Sequence, residues 1–573
     1  MSQDPAVRES PPEGPARPGA EGRQNLLLPG LVRWPADPTR PVIQLRGVTK
    51  RFGTRTILKG VDLDIHTGLT TVICGASGSG KSLLLRLMNG LMLPDEGQVL
   101  LFGEDTRAIS VERLLALRKR VSMMFQSYAL LDSMDVRENV AFPITENTSL
   151  RPRDVLLRAD ELLASLGLGQ ATRKMPSELS GGMKKRVSLA RAVVANPEVV
   201  LFDEPTTGLD PIMIDFVDNM LADTRQRFGI TSVIVSHDMV VTLNLADRLA
   251  MLEDGRISAY GTLDEVLGDK RTPLVEVFFQ DVGRLESAKT GSVRGEPRKV
   301  WELPPGESPL AELRGVHKHF GPHHVLKGVD LVVPRRKITV LIGGSGSGKS
   351  VMMKHVIGLM RADAGKVVVF GVDLSTLSDR QLSRLRERYG MVFQGAALLD
   401  NLTIAENIAF PLVDRGVRKG EVKDRVGEII DKLHLGEIAD RVPSAVSNGQ
   451  RKRAGLARAI IGRPELIIYD EPTTGQDPVL TRMLDDMIVE AQELFDITSL
   501  VVSHDMPSAF RIGHQIAMLH EGQILAAETP QGLMRVADPR VRRFIYAGTP
   551  EGEAAALECE RLEREAAIVS KAR

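Results

Sequence analysis

Short apolar runs of four to six residues recur along this 573-residue chain, and they come in two matching sets. In the first half, residues 42–46 alternate in polarity with the period of a strand, and residues 69–74, 199–202 and 231–235 read as short buried strands. The second half repeats them at 337–342, 466–469 and 499–502. Each half thus reads as strands alternating with helices, one helix being expected to begin at about Lys81. That is the pattern of an α/β layered domain, met twice.

Each buried run at 69–74 and 337–342 leads straight into a glycine-rich loop. The first is Gly75-Ala-Ser-Gly-Ser-Gly-Lys-Ser82, the second Gly343-Gly-Ser-Gly-Ser-Gly-Lys-Ser350. Both match G-x-x-x-x-G-K-[ST], a loop whose backbone N–H groups cup phosphates at a helix N-terminus. Gly75, Gly78, Gly80 and Gly343, Gly346, Gly348 supply the loop. Lys81 and Lys349 are placed to reach β- and γ-phosphates, and Ser82 and Ser350 to ligate Mg2+.

The register holds well beyond the loops. Lys81 and Lys349 lie 268 residues apart, as do Gln126 and Gln394, while Glu204 and Glu471, and His237 and His504, lie 267 apart. One residue is lost around 400–447, and the whole unit is duplicated. In each unit a carboxylate pair ends a strand: Asp203-Glu204 and Asp470-Glu471. The expected roles are Mg2+ ligation for Asp203 and Asp470, and general base toward water for Glu204 and Glu471. His237 and His504 each follow a strand inside Ser-His-Asp-Met, placed to sense a γ-phosphate.

Composition narrows the choice. Lys+Arg and Asp+Glu both number 74, so the balanced chain lacks the footprint of a nucleic-acid binder, a local basic patch aside. No apolar run reaches 18 residues, and the N-terminus does not read as a signal peptide. Cys74 and Cys559 have no metal-like or disulfide spacing, which suits a reducing compartment, and Cys74 reads as a small buried residue. Residues 1–41 are rich in Pro and Gly and are expected to be a disordered arm; Leu26–Leu28 and Trp34 form a short apolar patch in it, for which docking on a partner is the alternative to plain disorder. Residues 42–280 and 310–546 form the two domains, 281–309 a polar linker, and 547–573 a charged tail or solvated helix.

These motifs resemble the nucleotide-binding domain of ABC transporters over roughly 43–280 and 310–546. The most specific stretch is the signature Leu179-Ser180-Gly181-Gly182-Met183, followed by Lys184-Lys-Arg-Val-Ser-Leu-Ala-Arg191. The resemblance implies two tandem P-loop NTPase (ABC ATPase) domains, each a RecA-like α/β core with a helical subdomain and an antiparallel β subdomain. It also implies ATP and Mg2+ as cofactors and head-to-tail pairing of the two domains within the chain. Ser180, Gly181, Gly182 and their counterparts Ser447 and Gly449 would then meet the γ-phosphate held by the opposite lobe. Gln126 and Gln394 match the Q-loop, which touches Mg2+ or water, and Asp210 and Asp477 match the D-loop. Phe52 and Phe320 hold the position that stacks on adenine, an ordinary core phenylalanine being the rival reading.

The second lobe departs from this pattern in two places. Its signature reads Val446-Ser447-Asn448-Gly449-Gln450, with Asn for the first Gly, and its D-loop reads Gly475-Gln476-Asp477 against Gly208-Leu209-Asp210. Asn is a mild replacement there because it tolerates left-handed backbone. With head-to-tail pairing both changes fall on the site of Lys81, Glu204 and His237. The expectation is faster hydrolysis at the Lys349 site; neutral drift at Asn448 is the alternative.

The stretches 394–400, 406–412, 129–132 and 138–144, together with Met183 and 538–544, look like the ATPase of MCE-type (Mla-like) phospholipid transporters. That likeness implies a peripheral ATPase on the cytoplasmic face of the inner membrane, powering a separate permease, with an MCE-domain lipid-binding protein as a further partner and no nucleic acid. It is a fused version of a family that normally uses two single-lobe copies. A tandem ATPase for a sugar or other small-solute importer, and a soluble translation-factor-type tandem protein, stand as alternatives. The apolar residues 128–131 and 396–399 read either as a groove for a permease helix or as helical-subdomain core.

Overall fold

The computed structural model describes residues 34, 37–126, 128–268, 272–276, 278, 308–547 and 549–571. Most of the linker expected at 281–309 and most of the arm expected at 1–41 lie outside these. Each half contains a six-stranded, mainly parallel sheet and a four-stranded antiparallel sheet, in identical order. In the first half the larger sheet runs Arg256–Gly261, Arg248–Glu253, Thr70–Cys74, Thr231–Val235, Val199–Asp203, Val121–Met124. The strand that feeds the phosphate loop is therefore central, flanked in parallel register by Thr231–Val235 and Arg248–Glu253. In the second half the sheet runs Tyr389–Val392, Leu466–Asp470, Thr498–Val502, Ile338–Ile342, Gln515–His520, Gln523–Glu528.

Both faces of these sheets are covered, which explains why the central runs are apolar without alternation. Val72, Cys74, Val200, Phe202 and Ile234 pack toward the helical side. Their chain neighbours Ile73, Val199, Leu201, Val233 and Val235 pack toward the antiparallel sheet. Cys74 is fully buried, and burial pushes its thiol up to about 11, so it remains an inert thiol at neutral pH.

The helical part of each lobe lies between the strand before the Q-loop and the carboxylate strand. It comprises Val136–Asn147, Pro152–Ser165 and Gly181–Val193, matched by Ile404–Asp414, Lys419–Lys432 and Asn448–Ile460. The lost residue sits at the end of the second lobe's Ile404–Asp414, one residue shorter than Val136–Asn147. Both helices start on a capping box, Asp135 with Glu138 and Thr403 with Glu406, which fixes their first turn.

The structure adds detail near both ends of the described residues. Trp34 lies on the chain's own first lobe, where it packs against the core and donates its backbone N–H to the Phe228 carbonyl at 3.0 Å. The first strand begins at Pro41. Beyond the second lobe, the stretch read as a solvated helix or a tail is the helix Pro550–Lys571, packed on Pro539–Ile545 with Ala555 and Cys559 buried. Pro539–Ile545 also meets the first lobe's helix Pro211–Phe228, and Ile212 of that helix packs against the second lobe's core. The two lobes are thus joined by packing as well as by sequence. Among the described residues no helix is long and apolar enough to cross a membrane.

Candidate functional site

The phosphate loops are shaped by what a side chain would strike. A Cβ on Gly75 would lie 2.2 Å from the Leu252 carbonyl oxygen, and one on Gly343 2.1 Å from that of Leu519. Gly80 and Gly348 hold φ near +106° and +108° just before the helices Lys81–Met88 and Lys349–Val356, a conformation that only glycine adopts freely. Gly78 and Gly346 complete the turns. Inside each loop the hydroxyl of Ser79 or Ser347 is buried without a hydrogen-bond partner. A cradle that no Cβ fits, with an orphaned hydroxyl at a helix N-terminus, suits a polyphosphate.

Lys81 and Lys349 are buried and fold along the loop. Lys81 Nζ donates to the Gly75 and Ala76 carbonyls at 2.7 and 3.0 Å, and Lys349 Nζ to those of Gly343 and Gly344 at 2.7 and 3.1 Å. Burial lowers both amines from their ordinary value, against the pull of Glu204 and Glu471. The Ser82 hydroxyl donates to Asp203 Oδ1 at 2.9 Å, bringing together two of the expected Mg2+ ligands. Burial raises Asp203 and Asp470, as expected of carboxylates built to face a cation. Their hard oxygen donors fit Mg2+.

Glu204 and Glu471 stand in strained, left-handed backbone at φ 50° and 49°. Glu204 accepts from Thr207 Oγ1 at 2.7 Å and Gln126 Nε2 at 3.3 Å, and faces His237 Nδ1 at 3.4 Å. Burial works against its charge, but His237, Thr207 and Lys81 outweigh this and hold it down at about 2. Glu471 is held by Thr474 at 2.6 Å and His504 at 2.8 Å and is lowered likewise. Burial disfavours the charged imidazoles, yet the facing glutamates raise His237 and His504 overall. In each pair the carboxylate and the imidazolium favour each other's charged form, and the carboxylate is aimed by two side chains. The part of Thr207 and Thr474 was missed from sequence, although Asp-Glu-Pro-Thr-Thr recurs at 203–207 and 470–474.

Phe52 and Phe320 are exposed at 52% and 44%, which removes the core reading for both. Each ends the inner strand of an antiparallel pair, with Lys50 or Lys318 about 6.0 and 5.8 Å from its ring. Gln126 and Gln394 are exposed beside the carboxylate strands.

The signature serines cap their helices. Ser180 Oγ accepts from the Met183 N–H and Ser447 Oγ from the Gln450 N–H, both at 3.3 Å. Gly182 and Gly449 lie against Met213 and Met483 of the following D-loop helices, where a Cβ would be 2.9 and 2.8 Å from the methyl carbon. Gly181 has space, its nearest neighbour being the Tyr128 hydroxyl at 3.7 Å from a built Cβ. Asn448 occupies the matching place as the first residue of a helix and has no positive φ. The left-handed argument for tolerating Asn there therefore does not apply; open space is the reason.

The lobes meet head to tail at the D-loops. Asp210 Oδ2 accepts the Ser345 N–H of the second phosphate loop, and Asp477 Oδ2 accepts the Ser77 N–H of the first, both at 2.8 Å. The other oxygen of each carboxylate caps its own helix, at Met213 (3.1 Å) and Leu480 (3.0 Å).

Comparison with known proteins agrees with this geometry. The sequence profile of the ABC transporter family matches residues 58–207 and 326–474, together just over half of the chain. A candidate ABC transporter ATP-binding protein of Bifidobacterium longum, BL0043, is 30% identical over 82% of this chain, which spans only 63% of that protein's length. An uncharacterised ABC transporter ATP-binding protein of Methanocaldococcus jannaschii, MJ1242, is 27% identical over 88% of this chain and 98% of its own. A solved dimeric ATP-binding cassette in a post-hydrolysis state with ADP and Pi is 31% identical, covering 39% of this chain and 98% of that one, with a TM-score of 0.37. The chain belongs to the ABC transporter family and carries two of its ATP-hydrolysing cassettes, paired in one polypeptide.

Proposed function

We infer that the protein is the ATP-hydrolysing subunit of a transporter, driving a separate permease by closing and opening its two lobes around two ATP molecules. The observation that carries this reading is the reciprocal pair Asp210–Ser345 and Asp477–Ser77, which ties each lobe to the other's phosphate loop. In each site the loop N–H groups and Lys81 or Lys349 bind the phosphates, and Phe52 or Phe320 stacks on the adenine. Ser180 with Gly181 and Gly182, and Ser447 with Gly449, face the γ-phosphate across the seam. Mg2+, held by Ser82, Gln126 and Asp203 or by Ser350, Gln394 and Asp470, would neutralise charge on the phosphate oxygens. Glu471 orients water and takes its proton as the new P–O bond forms and the bond to the ADP oxygen breaks. His504 keeps that carboxylate in place. The Lys81 site, facing Asn448, hydrolyses more slowly.

An apolar groove supports the permease reading. A cavity of about 390 Å3 in the second lobe is lined by Tyr389, Phe393, Leu399, Phe410, Pro411 and Arg458. Phe393 and Phe410 are exposed, and Val413 is exposed beside them on the same helix as Phe410. Such a groove accepts one short amphipathic helix. For cargo we take phospholipid, in an MCE-type system at the inner membrane, on the fingerprints in 394–400 and 406–412.

Affinity purification of the full chain from membranes tests the reading. A permease and an MCE-domain protein among the captured chains, with ATPase activity lost in Glu471→Gln, are the expected results. Capture of ribosomes, or of a sugar-binding protein with its permease, would overturn the lipid assignment.

A further inference from the structure

The two places where the second lobe departs from the first touch each other. Asn448 stands where the first lobe has Gly181, and Gln476 where it has Leu209. Asn448 Nδ2 donates to Gln476 Oε1 at 2.8 Å, and Gln476 Nε2 donates to the Thr474 carbonyl at 3.2 Å. The first lobe cannot make this link, because Gly181 has no side chain and Leu209 is 4% exposed within the hydrophobic core.

The next residue gives the contact its reach. Asp477 accepts the Ser77 N–H of the opposite phosphate loop. Asn448, Gln476, Asp477 and Ser77 therefore form one continuous path from the start of the signature helix, through the D-loop, to the loop that carries Lys81. On the other seam the corresponding path, Gly181, Leu209, Asp210, Ser345, keeps only its last link. In both lobes a buried lysine of the signature helix also donates to a carbonyl of the segment leading to the D-loop, Lys185 to Thr207 and Lys452 to Pro472; the second lobe, over Lys81, adds the side-chain link from Asn448 to Gln476, and the first lobe, over Lys349, does not.

We propose that Asn448 and Gln476 form a latch that slows opening of the Lys81 seam, so that nucleotide is retained at Lys81 while the Lys349 site turns over. Asn448 and Gln476 act here as positioning residues: they hold the D-loop against the signature rather than taking part in bond breaking. The proposal rests on the reading of two ATP sites shared between the lobes, and it adds the device that makes them unequal in lifetime.

The test uses the full chain with Mg2+ and ATP labelled on the adenine, separated rapidly from free nucleotide, with retained label followed in time. Expected are slow release from wild type, loss of the retained label in Lys81→Ala, and its persistence in Lys349→Ala. Replacing Asn448→Gly with Gln476→Leu, which installs the first lobe's residues, should speed that release roughly fivefold, the scale of one net hydrogen bond. Turnover at the Lys349 site should stay within about twofold, which a general loss of folding would not allow. Gln476→Leu alone serves as the second variant and should show the same faster release. Release at the wild-type rate in both variants, or label retained at Lys349 instead, would overturn the latch. A wild-type chain that binds no nucleotide would overturn the paired-site reading itself, and the latch with it.

Discussion

The carboxylate of Asp477 accepts the backbone N–H of Ser77 at 2.8 Å, joining residues 400 positions apart in the chain. Its other oxygen caps the helix Pro478–Phe495, so one side chain both starts a helix and holds the opposite lobe's phosphate loop. Asp210 does the same toward Ser345. Asp477→Asn with Asp210→Asn keeps the capping oxygen and turns the bridging oxygen into a donor. Each lost charge-assisted bond is worth about 1.5–3 kcal/mol. The expected outcome is a wider seam, read from spin labels on the two lobes, and at least a tenfold fall in hydrolysis; an unchanged separation would refute the bridging role.

Hydrolysis should respond unequally to the two glutamates. Glu471→Gln is expected to lower turnover of the assembled complex by roughly a hundredfold or more, the scale of losing a general base. Glu204→Gln is expected to lower it by no more than about fivefold. Equal losses in steady-state phosphate release would mean that both seams work alike.

A buried carboxyl in the first lobe predicts a pH slope. Burial pushes Asp218 up to about 8, with the Asp238 charge adding to the shift. In the unfolded chain the group loses its proton near 3.9, so between about pH 4 and 8 the folded state holds the extra proton. Stability therefore falls as pH rises across that window. Asp218→Asn cannot ionise; it should flatten the slope and gain roughly 1–3 kcal/mol at pH 8. Melting temperatures from pH 5 to 8 measure this, and identical slopes in the two proteins would exclude it.

The arginine at the end of each signature helix clamps a strained turn. Ala396 and Ala397 sit at φ 61° and 48°, and Arg458 donates to their carbonyls at 3.0 and 2.7 Å. Arg191 does the same for Tyr128 and Ala129, at 2.7 and 2.6 Å. Two left-handed alanines cost about 1 kcal/mol each, which the clamp offsets. Arg458→Ala should destabilise the second lobe by about 2 kcal/mol and speed amide exchange across residues 394–400. Exchange confined to its wild-type rate would show that the turn holds without the arginine.

Much of this was legible in the sequence, for a physical reason. A phosphate cradle demands glycine where Leu252 and Leu519 leave no room for a Cβ, so chemistry and backbone constraint wrote the same letters twice. The strand-end pairs at 203–204 and 470–471 were legible for the same reason. What stayed hidden was tertiary contact. Nothing local in Asn448 or Gln476 says that they meet across 28 residues, and Trp34 reads as part of a Pro-rich arm until its contact with Phe228 is known. The exposure of Phe52 and Phe320 also needed the fold, since a phenylalanine ending a strand fits a core equally well. In the described part of the helix Pro550–Lys571, the buried side chains Ala555 and Cys559 are too sparse to stand out in a charged stretch.

The placement of the last helices has a bearing on how the molecule comes off the ribosome. Asp215, on the first lobe's Pro211–Phe228, feels the charges of Arg543 and Glu553. Those residues are synthesised more than 300 positions later, a delay of tens of seconds at ordinary translation rates. Until then the nascent first lobe presents Ile212 and the surface around it uncovered, and a chain stalled or cut before Pro539 would leave that surface open to chaperones and proteases. Arrival of the helix Pro539–Ile545 is thus the event that closes the early half.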